Sequence, residues 1–118
     1  MFTLSPRPRF FLSVGPTDMR KGFDALCGLV RNQMQADPLS GDVFVFVNRT
    51  RTQIRLLYFD GDGFVIVAKR LEQGTFAVAA ADTTSDSSAR ALERQDLLLM
   101  LEGIDQIETR RRVRYARP

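Results

Sequence analysis

The sequence contains no histidine and a single cysteine, Cys27. Without histidine, the chain lacks both the most frequent general base of enzymes and the commonest metal ligand. One cysteine allows no internal disulfide and no zinc site built from thiolates. Cys27 lies in an apolar row of residues, which favours a packing role over a reactive thiol. We therefore predict no catalytic residue, no metal site and no cofactor.

Long apolar runs are missing as well. No stretch of about 18 apolar residues occurs, so no membrane-spanning helix is predicted. Residues 1–9 lack the apolar segment of a secretory signal peptide, and Pro6 and Pro8 predict an extended arm there. A lone cysteine is typical of proteins from a reducing compartment. We expect a cytoplasmic location.

Positive charge is present but unevenly distributed. The chain of 118 residues has a net charge of +3, from 17 basic and 14 acidic residues. Five of the basic residues lie among the last nine residues: Arg110, Arg111, Arg112, Arg114 and Arg117. The rest of the chain is slightly acidic. Such a tail is expected to attract nucleic acid or an acidic protein surface, and the alternative is a solvated, disordered end.

The apolar pattern predicts one long helix followed by strands. Residues at helical spacing predict a helix over residues 18–35: Met19, Phe23, Leu26, Val30 and Met34. Strands are predicted over 10–14, 43–47, 54–59 and 64–69, and the second of these is apolar on both faces, as in a central strand. A second helix is predicted over 93–102. The expected fold class is α+β, with an antiparallel β-meander of three to five strands packed against one long N-terminal helix, and a short C-terminal helix.

Composition divides the chain into five parts. Residues 1–9 form the extended arm, and residues 10–78 form the α+β core. Residues 79–91 are rich in small and polar side chains, which predicts a flexible linker. Residues 92–105 hold the C-terminal helix, and residues 106–118 are the basic tail.

Arg20 and Lys21 are the first candidates for a binding site. Residues 16–22 read Pro-Thr-Asp-Met-Arg-Lys-Gly and start the predicted long helix, where the helix dipole disfavours cations. Free backbone N–H groups and basic side chains together would bind a phosphate or a carboxylate of a partner. The alternative is that both side chains point into water, with Arg20 paired to Asp24.

A second group of cations is predicted at one end of the sheet. Residues 60–63 read Asp-Gly-Asp-Gly, which predicts a tight hairpin turn rather than a calcium loop, because no further acidic ligands follow. A meander then places the opposite end of these strands next to residues 48–52. The predicted basic end carries Arg49, Arg51, Arg55, Lys69 and Arg70. It could lie along a phosphate backbone, and the alternative is a dispersed set of solvated charges.

Several segments resemble a known family when they are taken together and in order. They are residues 16–24, 37–41, 43–48, 57–64, 69–72 and 101–105. This ordered set resembles the TnpB-type (Orf2-like) accessory proteins of the sixty-sixth family of bacterial insertion sequences. The likeness covers about residues 10–76 and 97–105. Members often carry a tryptophan-containing stretch after the position of Phe76, and this chain has none.

The resemblance implies a small protein that is encoded beside a separate transposase and needed for efficient transposition, with no established catalytic activity. Its expected partners are the insertion-sequence transposase and the DNA of the element ends. Three hypotheses follow: a DNA-binding accessory protein, a module that binds only the transposase, and an enzyme acting on nucleic acid. The candidate residues for binding DNA or another anion are Arg20, Lys21, Arg49, Arg51, Arg55, Lys69, Arg70, Arg110, Arg111, Arg112 and Arg114.

Overall fold

The computed structural model describes residue 4 and residues 6–77 and 88–102. These residues form five strands and two short helices. In chain order they are β1 (Phe10–Ser13), α1 (Phe23–Asn32), β2 (Val43–Val47), β3 (Gln53–Phe59), β4 (Phe64–Arg70), β5 (Ala89–Leu92) and α2 (Arg94–Leu101). Among the described residues, no helix is both long and apolar enough to cross a lipid bilayer.

The strands form one mixed sheet in the order β4-β3-β2-β1-β5. β1 pairs with β2 in parallel, with Phe11 beside Phe44, whereas the other three pairs are antiparallel. A parallel pair needs a long connection between its strands, and here α1 lies within that connection. The predicted fold, an antiparallel meander on one long helix, is therefore wrong.

The predicted long helix is wrong because its first turn is not helical. α1 has ten residues, and its N-cap, Gly22, has an extended backbone with φ −96° and ψ −160°. The carboxylate of Asp18 accepts a hydrogen bond from the backbone N–H of Arg20 at 2.9 Å, which forms a local turn instead. Met19 and Met34 lie outside α1 but pack against the same core. Their spacing therefore extended the apolar pattern beyond the true ends of the helix.

β5 is a strand at the boundary between the predicted linker, residues 79–91, and the predicted C-terminal helix, residues 92–105. It pairs with β1, with Phe10 opposite Leu92 and Ser13 opposite Ala89. The sequence Ala-Arg-Ala-Leu carries little strand propensity of its own, because alanine is depleted in strands. Residues 79–87 of the predicted linker lie outside the described residues.

β2 lies at the centre of the sheet, and all of its residues are buried, as the sequence predicted for a strand covered on both faces. Phe44 and Phe46 face α1 and pack against Leu26 and Val30. The valines of β2 face the other side, where Leu97 and Met100 of α2 complete a second core cluster. The sheet is thus a layer between two helices, and its edges and strand ends are where polar side chains collect.

Asp42 connects the arm before β1 to the loop before β2. Its carboxylate accepts hydrogen bonds from the backbone N–H of Arg9 at 3.0 Å, from the Arg9 guanidinium at 2.9 Å and from the Ser40 hydroxyl at 3.1 Å. Burial alone would raise the pKa of this carboxyl. The hydrogen bonds together outweigh burial and hold the pKa of Asp42 below its usual range.

We expect this carboxylate to make folding sensitive to acid. Because its pKa is lower in the folded than in the unfolded chain, the stabilisation is fully present above about pH 4 and is lost as the pH falls through the folded-state pKa. The variant Asp42→Asn should lower the free energy of unfolding by about 1–2 kcal/mol at pH 7 and by less at acidic pH. Urea unfolding at pH 7 and pH 3 checks this, with Asp24→Asn on the exposed face of α1 as the control. An equal loss at both pH values would contradict it.

Candidate nucleic-acid interface

The turn between β2 and β3 is built around one side chain, Asn48. Its Oδ1 accepts hydrogen bonds from the backbone N–H groups of Thr52 at 2.9 Å and Gln53 at 3.0 Å. Its Nδ2 donates to the hydroxyls of Thr50 and Thr52, both at 3.2 Å. All hydrogen-bonding groups of the amide are thus used within the turn, so the turn has one defined shape.

Arg49 and Arg51 project from this turn, and both are exposed. In the part of the chain that the structure describes, no residue accepts a hydrogen bond from either guanidinium group. Arg51 has φ 58°, in the left-handed region that costs most L-residues about 1–2 kcal/mol. Its carbonyl accepts the backbone N–H of Phe76 at 2.7 Å, and Phe76 is fully buried. Strained residues held in this way often lie at binding sites.

The end of β4 lies beside the same turn. Arg70 is paired with Gln53 and Lys69 with Ile54, and the backbone N–H of Leu71 donates to the carbonyl of Thr52 at 2.8 Å. The hairpin turn at the other end of β3 and β4 contains Asp60 and Asp62. The structure therefore brings Arg49, Arg51, Lys69 and Arg70 together where β2 ends, β3 begins and β4 ends. We call this end of the strands the basic edge.

Three of the five cations predicted at the basic end of the sheet already have partners. The Lys69 ammonium donates to the carbonyl of Leu101 at 2.5 Å, at the carboxyl end of α2, where a cation is favourable. Arg70 lies 3.9 Å from the carboxylate of Glu72, in an exposed pair that contributes little energy. Arg55 is half-buried and donates to the carbonyl of Lys21 at 2.7 Å. Lys69 and Arg55 therefore have structural roles.

Residues 16–21 lie beside the end of β2 and the side chain of Arg55. The backbone N–H of Thr17 donates to the carbonyl of Val47 at 2.9 Å, and the bond from Arg55 to Lys21 holds the other end of the segment. Arg20 and Lys21 precede α1 and do not lie in its first turn. The predicted alternative, a pair between Arg20 and Asp24, is also wrong, because Arg20 pairs with Asp18 at 2.8 Å. Hydrogen bonds from the Arg20 side chain lower the pKa of Asp18 to about 2.

A cleft opens beside these cations, at the carboxyl ends of the parallel strands β1 and β2. Its volume is about 300 Å³. Its lining residues come from the ends of β1 and β2 and from β5, and none of those described is acidic: Leu12, Ser13, Val14, Gly15, Pro16, Val47, Asn48, Arg49, Arg51 and Arg90. We call it the β1–β2 cleft. The guanidinium groups of Arg49 and Arg51 and an apolar wall give it the chemistry of a site for an amphipathic anion.

Sequence reasoning missed Asn48 and Arg90. Asn48 has a local signal, because an asparagine before a short polar run often bonds to backbone groups a few residues on. Arg90 has no such signal, since it reaches the cleft only through the pairing of β5 with β1. The four tail candidates, Arg110, Arg111, Arg112 and Arg114, lie outside the described residues.

Comparison with known proteins agrees with the resemblance seen in the sequence. The family model for the IS66 Orf2 like protein matches residues 8–111. The protein y4hO of Sinorhizobium fredii (strain NBRC 101917 / NGR234) is 34% identical over 97 residues, which cover 82% of this chain and 81% of that protein. The protein y4jC of the same strain is 30% identical over 104 residues, which cover 88% and 86%. No solved structure matches the chain. The chain therefore belongs to the IS66 Orf2-like family and is an accessory protein associated with an insertion sequence.

Proposed function

We propose that this protein is a non-catalytic accessory protein that binds DNA through the basic edge while the transposition complex assembles. The observation that carries the proposal is the turn built by Asn48, which holds Arg49 and Arg51 exposed and without an acidic partner among the described residues. The partners in this proposal are the DNA of the element ends and the insertion-sequence transposase. The basic tail would extend the same electrostatic attraction.

Arginine suits this task better than lysine. The guanidinium group is planar and always charged, and it can donate two parallel hydrogen bonds to one phosphate. Arg49 and Arg51 meet this requirement directly. Arg20 and Arg70 would first have to exchange Asp18 and Glu72 for phosphate, and both pairs are exposed, so the exchange costs little. Lys21, next to Arg20 in the chain, is a further candidate cation.

The charge distribution also gives the protein an orientation on DNA. Asp60 and Asp62 lie at the far end of β3 and β4 from Arg49 and Arg51. A polyanion would attract the basic edge and repel the opposite one. Contacts of this kind give affinity without sequence preference, and that affinity falls with added salt.

The double variant Arg49→Gln/Arg51→Gln tests the proposal. Two lost phosphate contacts should reduce the slope of log affinity against log salt by about 2 and lower affinity about 10-fold at 0.1 M salt. Fluorescence anisotropy with a labelled duplex, at several salt concentrations, measures both quantities.

A matched control separates the basic edge from net charge. Arg7→Gln/Arg31→Gln removes the same charge from two exposed positions, one before β1 and one in the last turn of α1. We expect it to lose much less affinity than the double variant at the basic edge. Equal losses would mean that net charge alone matters, and unchanged binding in both would reject the proposed role of Arg49 and Arg51.

A second candidate function is binding to the transposase with no DNA contact. Exposed leucines on α2 favour a protein contact, since Leu98 is 52% and Leu99 is 47% exposed. Co-purification with the transposase, with and without nuclease treatment, distinguishes the two functions. Association that survives nuclease, together with no duplex binding in the anisotropy assay, would replace the first proposal with the second.

A further inference from the structure

We propose that the β1–β2 cleft holds one unpaired nucleotide of a DNA strand, with its base against the apolar wall and its phosphate at Arg49 and Arg51. This inference rests on the proposed function, because it assumes that DNA reaches the basic edge. It adds a preference for DNA that carries an unpaired base over fully paired duplex.

The position of the cleft favours a ligand. In open sheets, ligands bind outside the carboxyl ends of parallel strands, where neighbouring connections diverge and leave a crevice. β1 and β2 are the parallel pair here, and their connections leave through Gly15 and Asn48. Gly15 has φ +91°, and a Cβ atom there would meet nothing within 4 Å, so the backbone conformation and not lack of space favours glycine.

The size of the cleft limits what can enter. A volume of about 300 Å³ lies at the lower end of the range for small-molecule sites, about 300–1,000 Å³. A cleft of this volume has room for about one nucleotide. A base inside a duplex is stacked and paired, so only an unpaired or extruded base can enter a pocket of this kind.

The lining of the cleft matches the two halves of a nucleotide. Val14 and Pro16 contribute apolar surface that would cover the faces of a base, whereas Leu12 and Val47 are almost fully buried behind the lining. Arg49 and Arg51 are the cations at which the phosphate would bind. No acidic residue occurs among the described lining residues, so none of these residues repels the phosphate.

The amide side chain in the lining of the cleft is not available to identify the base. Asn48 is the amide in the lining, and its oxygen and nitrogen are both engaged within the turn. Reading a base requires donors and acceptors that face its edge. We therefore expect the four bases to bind with similar affinity.

The test compares three DNAs that differ only near one end. The first is a blunt duplex, the second carries a three-nucleotide single-stranded overhang, and the third carries the same overhang with abasic residues, which keep the phosphates and lack the bases. We expect the protein to bind the second at least 5-fold more tightly than the third. Equal affinity for the second and third would overturn the proposal.

Two variants connect that preference to the cleft. Val14→Phe and Pro16→Trp each fill the cleft from its wall and leave Arg49 and Arg51 in place. Each should abolish the preference for the overhang with bases and keep the affinity for blunt duplex, which also reports that the variant is folded. A preference that persists in both variants would overturn the proposal. Binding to the blunt duplex with no preference rejects the cleft alone, whereas no binding to any of the DNAs rejects both proposals.

Discussion

Replacing the five tail arginines with glutamine is expected to lower DNA affinity about 100-fold or more at 0.1 M salt and to reduce the salt slope by about 4.5. These residues are Arg110, Arg111, Arg112, Arg114 and Arg117, and they account for the positive net charge of the chain. Each arginine that contacts a phosphate releases about one counterion, so five contacts have a larger effect than the two at the basic edge. Salt-dependent anisotropy with a duplex measures the change.

The matched control is the same five positions changed to lysine. Lysine keeps the charge and loses the planar fork, so a contact that depends on charge alone should keep most of its affinity and its salt slope. If the glutamine variant binds like the unchanged protein, the tail has no part in DNA binding. If the lysine variant loses as much as the glutamine variant, the tail recognises its partner by bidentate hydrogen bonds and not by charge.

Replacing Phe44 with alanine is expected to lower the free energy of unfolding by about 3–5 kcal/mol. Phe44 is fully buried in the central strand, and its ring stacks on Phe11 with the centroids 5.9 Å apart. It also packs in the cluster that contains Leu57 and the buried face of α1. Small domains have about 5–15 kcal/mol of stability, so the variant should lose a large part of it.

Phe23→Ala is the control for this prediction, because it removes the same side chain from a position that is 49% exposed on α1. We expect it to cost clearly less, about 1–2 kcal/mol, since about half of that ring stays in water after folding. Urea unfolding of both variants checks the difference. A cost at Phe44 below about 1.5 kcal/mol would mean that the core closes around the smaller side chain.

Patterns within short stretches of sequence predicted the individual strands and turns that depend on neighbouring residues. The apolar run over β2 and the Asp-Gly-Asp-Gly turn after β3 correspond closely to the observed strand and hairpin. Such local patterns do not determine which strands pair with each other. The parallel pairing of β1 with β2 depends on α1 crossing between them, and β5 depends on an edge that β1 provides.

The candidate site was predictable to a similar extent. The positive charges and the turn-forming residues around them predicted that Arg49 and Arg51 lie in a turn between two strands. This prediction was possible because a turn is determined by residues close together in the chain. Sequence alone did not reveal that Arg55 and Lys69 bond to backbone carbonyls far along the chain, at Lys21 and Leu101. Those contacts form only when distant segments meet, so they become visible only in the folded structure.

The position of β1 has a consequence for how the chain is made in the cell. Among the described strands, β1 is synthesised before the others, yet one of its neighbours, β5, begins at Ala89. A nascent chain that stops short of that residue therefore keeps one side of β1 without its native partner. Open strand edges recruit other chains, so incomplete translation products of this protein should aggregate more readily than the finished one.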